Sequence, residues 1–394
     1  MSKPSLKGAV ALASNTPGVS TGYGNQGKQL AERMIKAGLE IASLSNYGLE
    51  GRHETLQIAG KQVPHYPRGV SLYSEDVAPI WHEDFASKHP DLKTVLFTLY
   101  DVWVYNNMEF DGEIVSWVPL DHITPPPKVV KFLQKENVTP ITMAPHGQEQ
   151  LEAIGIQSTY IPHGVDTKVY TPTPDIDGVA TRDFMGVSDD TFLVGIVAAN
   201  KANGSIHRKA FAENLLAFAA FHKKYPDSQI YIHTEPSRVY GGFDLAVLLR
   251  AVGLDKSVVM LPDRFAVRQG YPEKHMAAFY SAFDVLLSTS YGEGFGIPTV
   301  EAQACGTRVI TSNFAASKDL ASEDSWLIDG QPFWDEAQGA FFSIPSVNRI
   351  TAALEDAYLN ARGHSDKAVE FAKQFDFDHL WTWRWLPFLK GIFK

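Results

Sequence analysis

The feature that most constrains this chain is an alternation. Short apolar runs are separated by stretches of helical period, and the pattern recurs along the sequence. "GAVALAS" (8–14) reads as a buried strand, "NQGKQLAERMIKAG" (25–38) as an amphipathic helix closed by Gly38, and "EIASLS" (40–45) as a strand again. That is a βαβ unit. The runs "TVLFTLY" (94–100), "EIVSWVPL" (113–120), "PITMA" (140–144) and "STYIPHGV" (158–165) read as further buried strands, so an α/β domain with a mostly parallel sheet is expected.

The composition changes at "TPTPDIDGVATRD" (171–183), where Pro172, Pro174 and Gly178 suit a linker. A second series follows: "TFLVGIVAAN" (191–200), a helix over 209–224, "SQIYIHT" (228–234), a helix over 242–253, and "SVVMLP" (257–262). Phe211, Leu215, Phe218 and His222 recur at helical spacing around Ala219, so one face of the first helix is buried. Beyond 312 the reading is helical to the end. At 394 residues, 44% of them hydrophobic, the chain is long enough for two cores. The expected organisation is an N-terminal Rossmann-like domain over 1–172, a linker over 173–190, a C-terminal Rossmann-like domain over 191–375 and a terminal helix over 376–394. Two such halves facing each other leave a cleft, and a ligand belongs there at the strand C-termini.

Composition removes several function classes. A formal net charge of -10 disfavours a protein built to grip phosphate backbones, so no nucleic-acid partner is expected. The single cysteine, Cys305, rules out an intrachain disulfide and any sulfur-based metal site. The apolar run near the N-terminus is too short for a signal sequence, and no stretch approaches the ~18 apolar residues that cross a bilayer. A cytoplasmic protein is expected.

"STGYGNQGKQL" (20–30) carries Gly22, Gly24 and Gly27 at the G-x-G-x-x-G spacing of a dinucleotide turn. Such a turn starts directly at its strand, but "NTPGVST" intervenes here. It also needs an acidic residue at the end of the second strand, where this chain has Ser43, Ser45 and Asn46. The NAD reading fails on both counts. The backbone of Gly22, Tyr23 and Gly24 instead suits close approach to an anion or a sugar, with a plain surface loop as the alternative.

The chemistry concentrates in "EGFGIPTVEAQACGTRVI" (293–310). Gly294, Phe295 and Gly296 form a loop with accessible amides between Glu293 and Glu301. Pro298 suits the first turn of a helix, and Glu301 is expected within that turn. A helix start preceded by glycines binds anions, and carboxylates beside it accept hydrogen bonds from hydroxyls. Phosphate plus polyol describes a nucleotide sugar.

At these residues the chain resembles the retaining glycosyltransferases of family 4, the group 1 glycosyl transferases of GT-B fold. The resemblance rests on the E-x7-E element from Glu293 to Glu301, the "ACGT" turn (304–307), "YIPHGVD" (160–166) and the tandem α/β layout. It implies that Glu293 faces the donor sugar hydroxyls, that Glu301 takes the ribose hydroxyls, and that the amides of Gly294, Phe295 and Gly296 lie along sugar and phosphate. It also implies a basic pair that neutralises the diphosphate, for which "NKANGSIHRK" supplies Lys201, Arg208 and Lys209, with Arg208 and Lys209 as the assigned pair. The family usually spaces its arginine several residues before the lysine, and here the two are adjacent. His163 stands where members commonly carry Asn, and Arg308 where Pro commonly follows "CGT". Gly22, Tyr23 and Gly24 are assigned to the donor side, and His122 in "WVPLDH" is the candidate for the N-domain histidine that touches the sugar.

The activity implied is hexosyl transfer from a UDP- or GDP-linked sugar to an unidentified acceptor hydroxyl with retention, with no cofactor and no metal requirement. The alternatives are a sugar-nucleotide epimerase of the same fold and an inactive nucleotide-sugar-binding subunit. "DID" (175–177) and "FDFDH" (375–379) are read as structural, so no metal site is assigned. The tail "HLWTWRWLPFLKGIFK" (379–394) offers a peripheral membrane contact, but a terminal helix packed across the domains is the stronger reading.

Overall fold

In the computed structural model, residues 6–48, 53–105, 107–202 and 206–394 are described. Residues 203–205 of the expected basic loop fall outside them. The first βαβ unit forms as its periodicity requires: β1 (Ala9–Ser14), α1 (Gly22–Lys36) and β2 (Glu40–Ser45), with β1 fully buried. Helix α1 begins three residues before the apolar pattern suggests, because Thr21 caps it by accepting the Gly24 amide at 3.0 Å. A Cβ at Gly24 would lie 2.4 Å from the Val19 carbonyl, so only glycine lets the chain turn this tightly into the helix.

Next come the antiparallel hairpin β3 (Glu54–Ile58) and β4 (Lys61–Tyr66), helix α2 (Ala78–Ser87), and β5 (Thr94–Leu99). β6 (Ile114–Val118), α3 (Pro127–Leu133), β7 (Val138–Thr142), α4 (Pro145–Glu152) and β8 (Thr159–Tyr160) complete the sheet, in the order β3-β4-β2-β1-β5-β6-β7-β8. The hairpin escapes sequence reading because its polar residues break the apolar run. β8 is far shorter than the run at 158–165 suggests. Around β1 the strand order reverses, and in such sheets the loops at that point lie where ligands bind.

The chain divides into two compact units, one comprising Met1–Gly164, Glu336–Ala340 and Phe377–Lys394, the other Val165–Asp335 and Phe341–Asp376. The segment read as a linker lies wholly within the second unit, where it forms the small hairpin β9 (Asp175–Ile176) and β10 (Val179–Ala180) and the short helix α5 (Thr181–Met185). The second sheet begins with β11 (Phe192–Val197), α6 (Phe211–Lys224) and β12 (Ser228–His233). α7 (Leu245–Ala251), β13 (Val259–Met260), α8 (Arg264–Gln269), α9 (Glu273–Ala282) and β14 (Val285–Ser288) follow, then α10 (Ile297–Ala304) and β15 (Arg308–Ser312). With β16 (Trp326–Ile328) the order is β13-β12-β11-β14-β15-β16, all parallel, and β11 is again the reversal point.

The expectation of helix throughout after 312 is corrected. β16 and a two-stranded hairpin, β17 (Gly330–Asp335) and β18 (Ala340–Pro345), precede α11 (Val347–Asn360) and α12 (Asp366–Ala372). Both hairpin strands mix exposed and buried positions, which leaves no clean period to read. The second core joins Phe192, Val194 and Ile196 to Phe211, Leu215, Phe218 and Phe221 of α6 and Leu354 of α11. Each buried aliphatic or aromatic side chain of this kind contributes roughly 1.5–3 kcal/mol.

The tail contains α13 (Phe377–Leu380), a single π-helical turn at Trp381–Trp385 and α14 (Leu386–Ile392), all within the first unit. Trp385 is fully buried there, 4.7 Å from the Trp117 ring and 5.9 Å from that of Phe97. Trp383 is exposed. Among the described residues, no helix is long and apolar enough to cross a membrane.

Candidate functional site

The second unit gathers its charged groups at the C-terminal ends of β11 and β14. From β11 the chain runs to Ala210, whose left-handed backbone (φ 50°) turns it into α6 and leaves Arg208 and Lys209 just before the helix. From β14 it runs through Tyr291, Gly292 and Glu293 into α10. The two segments are tied by backbone: the Tyr291 amide donates to the Arg208 carbonyl at 2.8 Å, and the Ser343 amide of β18 donates to the Tyr291 carbonyl at 2.9 Å. Tyr291 Oη also donates to Glu213 Oε1 of α6 at 2.8 Å.

Within this frame Glu293 accepts from both cations. Arg208 Nη1 lies 2.9 Å from Oε2 and 2.8 Å from the Gly292 carbonyl, and Lys209 Nζ lies 2.5 Å from Oε1. Burial by itself pushes the Glu293 carboxyl up, but the facing Lys209 and Arg208 outweigh it and hold it at about 2. Lys209 is pulled the other way. Burial and the like charge of Arg208, with a smaller contribution from Lys201, overcome the attraction of Glu293 and bring its ammonium down to about 8. Two cations against one carboxylate leave a net positive charge facing whatever binds here.

Helix α10 starts at this point. Gly296 is its N-cap, with a left-handed backbone (φ 115°) that favours glycine, and no side chain caps the helix. Pro298 occupies the second helical position. Glu301 therefore lies one turn further along than the sequence suggests, which corrects its placement in the first turn. Phe295 turns its side chain into the interior, against Phe375 at 5.7 Å. A small cavity lined by Lys209, Ser288, Glu293, Gly296 and Pro298 lies between the two segments.

Glu301 is set apart from this triad. It accepts from Tyr280 Oη of α9 at 2.8 Å and from the Tyr170 hydroxyl, with no cation beside it among the described residues. Burial raises its carboxyl to about 7, Glu273 adds to the rise, and the two phenols oppose it. Lys201 opens the basic loop, where its backbone bridges Gly241. The loop is organised by Asn200, whose amide nitrogen donates to the Glu235 and Phe243 carbonyls at 3.1 and 2.8 Å.

The remaining expected residues belong to the first unit. Gly22, Tyr23 and Gly24 form the first turn of α1, and the Tyr23 ring lies 6.3 Å from that of His163. His163 is packed on Trp117 at 4.3 Å, and burial keeps it neutral with its ring down at about 3. Gln26, which sequence reading passed over, holds the "YIPHGVD" stretch: its side-chain amide donates to the Gly164 carbonyl at 2.7 Å and accepts the Gly164 amide at 3.1 Å. His122 is buried after β6, its Nδ1 2.7 Å from Asp121 Oδ1, while His146 Nε2 lies 3.0 Å from the His122 carbonyl. β2 ends in Ser45, whose hydroxyl bonds Thr16 at 2.6 Å, so no acid stands where a dinucleotide site needs one.

This chain is similar to known proteins in sequence and in fold. The family model described as glycosyl transferases group 1 matches residues 259–375, which include the Glu293 loop, α10 and the tyrosine of α9. An uncharacterised glycosyltransferase of Sulfolobus islandicus rod-shaped virus 1 is 24% identical over 344 residues, covering 79% of this chain and 95% of the viral protein. The D-inositol 3-phosphate glycosyltransferase of Corynebacterium jeikeium is 28% identical over 189 residues, but the match covers only 45% of this chain and 42% of that protein. Among solved structures, sucrose-phosphate synthase from Thermosynechococcus elongatus superposes with a TM-score of 0.74 at 17% identity, covering 98% of this chain and 99% of the other. Anabaena HepE in complex with UDP and glucose gives 0.68 at 15% identity, covering 98% and 100%. Residues 259–375 thus match the group 1 glycosyl transferase model across the carboxylate loop, and the chain shares the GT-B fold of these solved structures along nearly its whole length.

Proposed function

We propose that the chain transfers a hexosyl residue from a nucleoside-diphosphate sugar, linked to UDP or GDP, to an acceptor hydroxyl with retention of anomeric configuration and without a metal ion. One observation carries the reading: Arg208, Lys209 and Glu293 form a single hydrogen-bonded cluster beside the uncapped start of α10. Departure of the nucleoside diphosphate builds negative charge on its β-phosphate, and a fixed net positive site beside a helix N-terminus stabilises that charge as it develops. Glu293, ionised at any working pH, accepts hydrogen bonds from sugar hydroxyls and keeps both cations in place. The amides of Gly294, Phe295 and Gly296 lie along sugar and phosphate.

As the bond between the anomeric carbon and the phosphate oxygen breaks, the acceptor oxygen bonds to the same carbon from the same face. The acceptor proton passes to the departing phosphate oxygen. The complex of Anabaena HepE with UDP and glucose supports UDP-glucose as the first donor to test. His122, Lys201, Gly22, Tyr23 and Gly24 are proposed as further donor contacts.

The test is release of UDP or GDP from a panel of nucleotide sugars by the purified protein, with and without EDTA, beside Glu293→Ala and Arg208→Ala. The expected result is EDTA-resistant turnover of one donor that both variants lose. Turnover abolished by EDTA, or retained in both variants, overturns the reading.

A further inference from the structure

We infer that Tyr280 and Tyr170 are positioning residues that favour the ionised form of Glu301 and fix it as an acceptor for the paired ribose hydroxyls of the donor, an inference that rests on the donor site proposed above. Neither tyrosine takes part in the transfer chemistry, yet both spend their hydroxyls on one carboxylate. Tyr280 is fully buried on α9 and donates to Glu301 Oε2 at 2.8 Å. Tyr170, 6% exposed, reaches the same carboxylate from the segment after β8, with its ring 6.2 Å from that of Tyr280.

The arrangement answers a physical problem. A carboxylate moved out of water and given no cation tends to take up a proton. Once protonated, it loses acceptor capacity and must itself donate a hydrogen bond, which suits a pair of hydroxyls poorly. A cation would solve this, but it would also occupy the lone pairs that the ribose needs. Two neutral donors favour the ionised form while leaving roughly half of its about four acceptor positions open.

The titratable groups acting on Glu301 are few. Tyr280 and Glu273 come from α9 and Tyr170 from the segment after β8, while Cys305, whose thiol Glu301 acts on, follows α10 as its C-cap. Glu273 opposes ionisation, and burial pushes the Cys305 thiol up so that it stays neutral. Burial also raises both phenols above their ordinary value, so they remain donors throughout the working pH range. With the carboxyl held at about 7, removal of one donor tips it toward the protonated state at neutral pH.

The experiment is calorimetric titration of UDP and GDP into the full-length protein from pH 6 to 9, for the wild type, Tyr280→Phe, Tyr170→Phe and Glu301→Gln. In the wild type, affinity falls as pH drops through about 7. Each phenylalanine variant removes only a hydroxyl, and the midpoint should rise by about one unit, giving roughly fivefold weaker binding at pH 7 that recovers at pH 9. Glu301→Gln should bind weakly with no pH dependence. A purely structural role for the tyrosines would lower affinity evenly without moving the midpoint, and that result in both variants overturns the inference. Two variants at different sites keep the test informative if one fails to fold. A wild type that binds neither nucleotide, or a Glu301→Gln variant that binds like the wild type, overturns the donor site itself. Normal binding with unmoved midpoints overturns only the role of the tyrosines.

Discussion

Lys209 provides the sharpest test of the proposed chemistry, because its charge is present only over part of the working pH range. Its ammonium is held at about 8, so the free enzyme loses this cation above that pH. The profile of kcat/KM reports groups of the free enzyme, and it should fall about tenfold per pH unit on the alkaline side of about 8. Replacement by methionine keeps the length and removes the charge. Glu293 then retains Arg208 at 2.9 Å, so the carboxylate stays paired and the fold survives. Losing one preorganised donor to a developing phosphate charge costs about 10²–10³ in kcat, or about 3–4 kcal/mol. Lys209→Met should therefore be slower by that factor at pH 7, with a flat profile across pH 8. Lys209→Arg should restore part of the rate and move the alkaline limb out of range. The assay is initial-rate release of nucleoside diphosphate from pH 6 to 10. An alkaline limb that persists at about 8 in Lys209→Arg, or a Lys209→Met rate within a factor of a few of wild type, refutes the assignment.

The two glutamates should titrate stability in opposite directions. Glu293 is held at about 2, below its ordinary value of 4.5, so its contribution is present above that value and is lost as pH falls toward 2. Glu293→Gln should thus lower Tm at pH 7 and flatten the acid limb of thermal unfolding, and an unchanged Tm with an unchanged acid limb would contradict the pairing. Glu301 is raised to about 7, so the folded state binds the extra proton and the contribution it makes at low pH is lost as pH rises through 7. Glu301→Gln should raise stability at pH 8 by up to about 3 kcal/mol, and with it Tm, while weakening nucleotide binding; a lower Tm there would contradict it. Trp385→Ala should destabilise the first unit by about 3–5 kcal/mol in denaturant unfolding. Trp385→Phe should cost far less, because among the described residues the indole N–H has no hydrogen-bond partner to lose. Equal losses in both variants would refute that account.

Local signals carried much of this protein into view. Strands and helices of both sheets were legible wherever one face or the whole run was apolar, as in β1, β11 and α6, because burial imposes a period on adjacent residues. Glu293, the glycines and Glu301 were legible together, since the loop and the start of α10 are one continuous segment. The β3–β4 and β17–β18 hairpins were not, because half-exposed strands with polar residues lack that period. The distance of Glu301 from the helix start was misread by one turn, since a glycine-rich approach does not reveal at which residue helical geometry begins.

By itself, the sequence determined the residue types available for chemistry: a carboxylate loop, an adjacent Arg-Lys pair and two mostly parallel α/β sheets to carry them. Only the tertiary structure decided what each group does. Lys209 and Glu293 are 84 positions apart, and Tyr170 reaches Glu301 across 131 residues, so neither pairing leaves any mark on local spacing. The two glutamates of one eight-residue interval end at about 2 and about 7 because two facing cations outweigh burial at one, while at the other burial prevails over the two phenols that oppose it. Charge state follows from neighbours in space, and those neighbours exist only once the sheets have brought distant loops together.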